Sequence, residues 1–83
     1  MTGELYREVI SITEEYLGPA AERFVARQIT FHLGKKPQDL SPNDLPTFIE
    51  WTKVTFGLLT ENQWLIDEYI TRIKKLEKEV IHE

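Results

Sequence analysis

The stretch Leu5-Tyr6-Arg7-Glu8-Val9-Ile10-Ser11-Ile12-Thr13-Glu14-Glu15-Tyr16-Leu17-Gly18-Pro19 contains a helix and its stop signal together. Leu5, Val9, Ile12 and Tyr16 recur at spacings of three and four, with Tyr6, Ile10, Thr13 and Leu17 alongside, and so form a broad apolar helical face. Gly18 tolerates the left-handed conformation that closes a helix, and Pro19 suits the first turn of the next. Leu33-Gly34 closes that second helix. Ser41-Pro42 and Asp44 open a third, and Thr60-Glu61-Asn62-Gln63 has the capping-box pattern, in which Thr60 and Gln63 satisfy each other's free amides, at the head of a fourth. The expectation is an all-α single domain spanning residues 1–83. It is a compact bundle of four helices with antiparallel neighbours, near 3–17, 19–33, 44–59 and 61–82.

Ala21, Phe24, Val25, Gln28, Ile29, His32 and Leu33 share the inner face of the second helix, which therefore carries two polar residues inward. Gln28 and His32 stand one turn apart. Tyr6, Tyr16, Thr52 or Thr55 would complete an internal hydrogen-bonded network with them. From Gly34 to Asn43 helical period is lost, and Leu40 is the expected anchor of this loop. The third helix has two apolar stripes: Leu45, Phe48, Ile49, Thr52, Phe56 and Leu59 on one side, Trp51, Val54 and Leu58 on another. Either it is buried on both sides, as large aromatics at helical spacing favour, or the Trp51 side awaits a partner. In the fourth helix Ile66, Tyr69, Ile73, Leu76 and Val80 make a heptad seam that outreaches the first helix, with Arg72, Lys75 and Glu79 as a flanking row. The expected core is Leu5, Val9, Ile12, Tyr16, Phe24, Ile29, Phe48, Ile49, Phe56, Leu59, Ile66, Tyr69, Ile70 and Ile73.

The 83 residues suffice for one small core. Cysteine is absent, which removes disulfides, thiolate metal sites and a thiol nucleophile. Glu4, Arg7 and Glu8 interrupt any signal-peptide core and no membrane span follows, so the composition points to a soluble cytoplasmic protein. The net charge of −4 is zoned, since Arg23, Arg27, Lys35 and Lys36 fall in a block without acids, between acidic stretches. With Phe24 and Phe31 interleaved, these four cations form the one ridge suited to following phosphates.

Catalytic motifs are missing. Ser41 serves better as a cap than as a nucleophile, Gly34-Lys35-Lys36 lacks the spacing of a phosphate-binding loop, and no glycine-rich dinucleotide fingerprint occurs. Glu14-Glu15 and Glu77-Lys78-Glu79 read as helix surface charges rather than an acid/base pair. Glu79-Val80-Ile81-His82 has the Glu-x-x-His spacing of carboxylate-bridged metal bundles, but once only and at a chain end. Neither His32 nor His82 has a credible ligand set, and the expectation is no metal, no cofactor and no enzymatic activity.

Tyr16-Leu17-Gly18-Pro19-Ala20-Ala21-Glu22-Arg23-Phe24-Val25-Ala26-Arg27-Gln28-Ile29, then His32-Leu33, then Asp39-Leu40-Ser41-Pro42-Asn43-Asp44-Leu45, resembles a small helical orphan domain expanded in ammonia-oxidising archaea. The resemblance covers half to two-thirds of the chain. It implies a helical bundle, found alone or appended to larger regulatory proteins, and carries over no functional residue. The leading expectation is a non-catalytic protein-interaction or oligomerisation module of a larger regulatory system. Trp51, Leu58, Leu76 and Val80 are its candidate contact residues. The alternative is a weak, sequence-indifferent nucleic-acid-binding domain using Arg23, Arg27, Lys35 and Lys36.

Overall fold

Gly18, at φ 62°, ends the first helix, α1 (Glu4–Leu17), and its N–H donates to the carbonyl of Glu14. The computed structural model describes residues 3–81, with side chains through Lys78. Pro19 sits in a single 3-10 turn, Gly18–Ala20, that runs directly into α2 (Ala21–Gln28). Helix α2 is shorter than its apolar pattern predicts, because from Ile29 to Leu33 the chain widens into a π-turn, closed by Gly34 at φ 66°. Within that turn Ile29 is buried, His32 and Leu33 are half-buried, and Phe31 faces outward. Two further 3-10 turns, Pro37–Asp39 and Pro42–Asp44, lead to α3 (Leu45–Leu59), and α4 (Gln63–Ile81) follows after three residues. Every described element is helical, and no strand occurs among the described residues.

The 34–43 loop is held at both ends of its span. Leu40 is buried in the core, as its isolation among polar residues predicts. The Asp44 carboxylate accepts hydrogen bonds from the Ser41 N–H and hydroxyl, each at 3.0 Å, and from the Lys35 ammonium at 2.7 Å. Burial opposes ionisation of Asp44, but these donors outweigh it and hold the carboxyl below the usual aspartate range. At the head of α4 the expected Thr60–Gln63 capping box does not form. Thr60 is extended (φ −147°, ψ 149°) and its hydroxyl accepts the Asn62 N–H at 3.1 Å, while Asn62 Oδ1 accepts the Leu65 N–H at 3.2 Å. Asn62 is therefore the cap, two residues later than the pattern suggests, because the chain needs residues 60–62 to reverse direction. Gln63 instead donates to Asp67 within the first turn.

Burial centres on Phe56. Its ring contacts Tyr16 of α1 (centroids 6.2 Å), Phe24 of α2 (6.0 Å) and Tyr69 of α4 (4.8 Å), so one α3 side chain touches the three other α-helical segments. Val9, Val25, Ile29, Leu45, Phe48, Tyr69 and Ile73 are fully buried with it, and Leu5, Ile49, Ile66, Ile70 and Leu76 nearly so. Ile12, Tyr16 and Phe24 are half-buried against this core rather than inside it. Leu59 is a correction: it is 58% exposed, since α3 ends there and nothing continues alongside. The Phe24–Phe56 and His32–Trp51 pairs run in opposite order along the two elements, so α2 with its π-turn is antiparallel to α3.

The internal polar network lies elsewhere than the sequence suggests. Thr13 is buried and its hydroxyl donates to the Val9 carbonyl at 2.7 Å. Its one hydrogen being used, the 2.7 Å contact with the Tyr69 hydroxyl has Tyr69 as donor. Gln28 and Thr52 are buried as well, but Gln28 Oε1 and Thr52 Oγ1 have no hydrogen-bond partner among the described residues. At the outer edge of the α1–α4 contact, Arg72 grips both Glu15 carboxylate oxygens, at 2.7 and 2.9 Å.

Candidate interaction surface

Leu45, Phe48, Ile49, Thr52 and Phe56 occupy the inward side of α3. At 100° per residue Trp51, Val54 and Leu58 come round to another side. There they are 42%, 59% and 81% exposed. The reading of α3 as buried on both sides is thus overturned for this stripe, because the one ring stacked on it, His32 against Trp51, leaves all three side chains exposed. Thr47, Glu50, Lys53 and Gly57 flank it and are exposed too. Leu59 and Trp64 add further exposed apolar surface where α3 passes into α4.

Two features show local organisation on this face. The Trp51 indole lies flat on the His32 ring, with centroids 4.1 Å apart and planes 10° from parallel. His32 is therefore a backing plate for an aromatic side chain, and the π-turn is the element that carries it. Gly57 is the second feature. It lies within a helix without a positive φ, and a Cβ built there meets nothing within 4 Å. Glycine at an exposed helix interior costs about 1 kcal/mol relative to alanine. Nothing inside the described chain requires it. Composition and stripe patterns identify Trp51, Val54 and Leu58; the added signal for a special face was that glycine, unclaimed by any turn.

The structure separates the basic ridge into different environments. Arg23 and Arg27 are exposed, one turn apart on α2, and the Arg27 guanidinium lies 5.6 Å from the centre of the Phe31 ring. Lys36 is exposed, whereas Lys35 is bound to Asp44. Three cations of the four thus remain turned to solvent. The candidate contacts on α4 divide as well. Leu76 is 5% exposed and belongs to the core, so the heptad seam is intramolecular through that residue. Arg72, in the row that flanks the seam, pairs with Glu15 of the same chain. The Val80 side chain and His82 lie outside the described residues, and with them the Glu79–His82 metal candidate.

Among the described residues no cluster of three potential metal-ligating side chains occurs, and no helix is long and apolar enough to cross a membrane. Shallow grooves flank Tyr6 between α1 and α2, lined by Glu22, Arg23, Arg7 and Gln38. These are open surface depressions bordered by solvated side chains, without the enclosed apolar walls of a small-molecule site. Comparison of the chain with known protein families, characterised proteins and solved structures finds no match.

Proposed function

We propose that this chain is a non-catalytic protein-interaction module, a four-helix bundle that offers the outer face of α3 to a protein partner within a larger regulatory assembly. The observation that carries this reading is the Trp51, Val54 and Leu58 stripe, exposed on a helix whose other side is fully used in the core. A patch of large apolar side chains on a domain this small exposes surface whose burial would be favourable, and contiguous patches of that kind mark interaction sites. The stacking of Trp51 on His32 supports it, since an aromatic anchor already held in place loses less freedom on docking. The archaeal orphan-domain resemblance is compatible with such a module.

A photo-reactive amino acid at Leu58, with Glu14 on α1 as the control position, tests the reading. Cross-links to protein should form from Leu58 and not from Glu14, and Val54→Asp should abolish them without loss of helicity. Equal labelling from both positions, or none from Leu58, would remove the proposal. In the same experiment duplex DNA serves as a competitor. Displacement that depends on Arg23, Arg27 and Lys36 would favour the nucleic-acid alternative, whose ridge has lost the free charge of Lys35 to Asp44.

A further inference from the structure

We infer that the docking face of α3 takes an acidic amphipathic helix, which lies along the groove between α2 and α3 with its apolar stripe on Trp51 and Leu58 and its acidic edge against Arg23 and Arg27. This rests on the protein-docking reading above and adds the chemistry of the partner. Two ring pairs fix the groove. Phe24 meets Phe56 and His32 stacks on Trp51, so α2 and its π-turn run beside α3 on the Trp51 side. At 100° per residue Arg27 lies about 60° and Arg23 about 100° round the helix from Phe24, both turned away from the buried Val25 and Gln28. The two arginines therefore stand on the solvent side of α2, along one edge of the groove whose other wall carries Trp51 and Leu58. The antiparallel pairing sets Arg27 level with Val54 and Arg23 further along toward Leu58, so cations and apolar stripe run side by side over about 10 Å.

Charge complementarity selects the occupant. Among the described residues neither Arg23 nor Arg27 pairs with a carboxylate, the ion pairs being those of Lys35 and Arg72. Arg27 rests instead over the Phe31 ring, 5.6 Å from its centre. The π-turn holds Phe31 against that guanidinium and, at the next residue, His32 against Trp51. Such turns occur frequently at functional sites. Glu22 lies on the α1 side, in the depression beside Tyr6. The far edge of the α3 stripe carries Glu50 and Lys53, whose charges offset one another. Positive potential is thus confined to the α2 edge of the groove, where it favours a partner with carboxylates on the matching side.

The occupant must satisfy both halves of the groove. Phosphates of a nucleic acid would meet the arginines but leave Val54 and Leu58 uncovered, and a neutral apolar helix would cover the stripe without using the arginines. An amphipathic helix seated between two helices reads its groove through apolar residues at intervals of three and four, with its flanks left for charge. Trp51, already held flat by His32, is the fixed anchor on this side.

Fluorescence anisotropy with the full chain tests this, using labelled helical peptides of about 14 residues that share one leucine stripe and carry Glu, Gln or Lys along its flank. The Glu peptide should bind with a dissociation constant between about 10 µM and 1 mM. At low salt it should bind about tenfold or more tighter than the Lys peptide, with the Gln peptide between them. Arg23→Glu combined with Arg27→Glu should invert that order, and at about 1 M salt, where charges are screened beyond about 3 Å, the three affinities should converge. Val54→Ser combined with Leu58→Ser, at two exposed positions, should weaken all three by about tenfold or more with helicity retained. Lys75→Glu, at an exposed cation of α4, should change nothing. No binding of the Glu peptide at about 1 mM, an affinity order indifferent to the arginines, or binding that survives the two serine substitutions overturns the inference. Tighter binding of a single-stranded oligonucleotide or of phosphatidylserine vesicles than of the Glu peptide overturns it too, as does self-association that the serine substitutions abolish, since each assigns the face another occupant. The docking reading is judged separately by cross-linking from Leu58. Cross-links indifferent to Arg23 and Arg27 would keep the face and discard the acidic partner, and none from Leu58 would discard both.

Discussion

At Tyr69 a single hydroxyl links two helices and makes folding sensitive to alkali. Burial pushes its pKa from 10.0 up to about 12. A group that keeps its proton in the folded chain after the unfolded chain has released it stabilises the fold below the unfolded pKa. That stabilisation is then lost as pH climbs toward the folded value. Unfolding free energy should hold steady up to about pH 10 and fall between there and about pH 12, with a slope of up to about 1.4 kcal/mol per pH unit from this residue. Tyr6, also raised by burial and by the nearby Glu22 carboxylate, contributes to the same fall. Tyr69→Phe should flatten most of the slope, at a cost of about 1 kcal/mol near neutral pH for the lost hydrogen bond; denaturant titrations at several pH values check both. Thr52 presents the opposite case. Its hydroxyl is buried without a partner among the described residues, so Thr52→Val, which keeps the shape, should raise stability by about 0.5–2 kcal/mol in the same titration.

At the scale of elements, the segment boundaries were legible where a residue has one physical use and obscure where it has two. Gly18 and Gly34 close their helices at positive φ, as glycine before a proline and after Leu33 suggests. Leu40 anchors its loop because no other residue from Gly34 to Asn43 is a large apolar group. The Thr60–Gln63 pattern misled, since Thr60, Asn62 and Gln63 are all competent at a helix start and the geometry of the turn chose Asn62. Asn62→Ala should therefore cost about 1 kcal/mol, and Thr60→Ala less, because the threonine supports the turn and not the helix; thermal melts of the two variants distinguish the assignments. The π-turn at Ile29–Leu33 was not legible at all, because periodicity cannot tell one extra residue in the last turn from a helix that continues. The docking face was legible only as an ambiguity. Trp51, Val54 and Leu58 are as apolar as core residues, and whether α3 is covered on that side depends on how many helices surround it, which no local pattern encodes.

For the whole molecule, α3 sets core and surface two residues apart. Phe56 touches an aromatic ring from each of the other three α-helical segments, so truncating it to alanine leaves a cavity where all of them meet. A cost of about 3–5 kcal/mol is expected, a large share of the roughly 5–15 kcal/mol that stabilises an ordinary domain. The transition should stay cooperative, with the denaturant midpoint falling and the slope unchanged, because the loss is shared by every segment rather than confined to one. Leu58→Asp should move the midpoint by no more than about 0.5 kcal/mol, since that side chain is 81% exposed and contacts little within the chain. Leu76→Asp, at a position once indistinguishable from Leu58 as a contact residue, should unfold the domain because it buries a carboxylate in the core. Equal losses from Leu58→Asp and Leu76→Asp would mean that the outer face of α3 is part of the folding core, and with it would go the reason to seek a partner there.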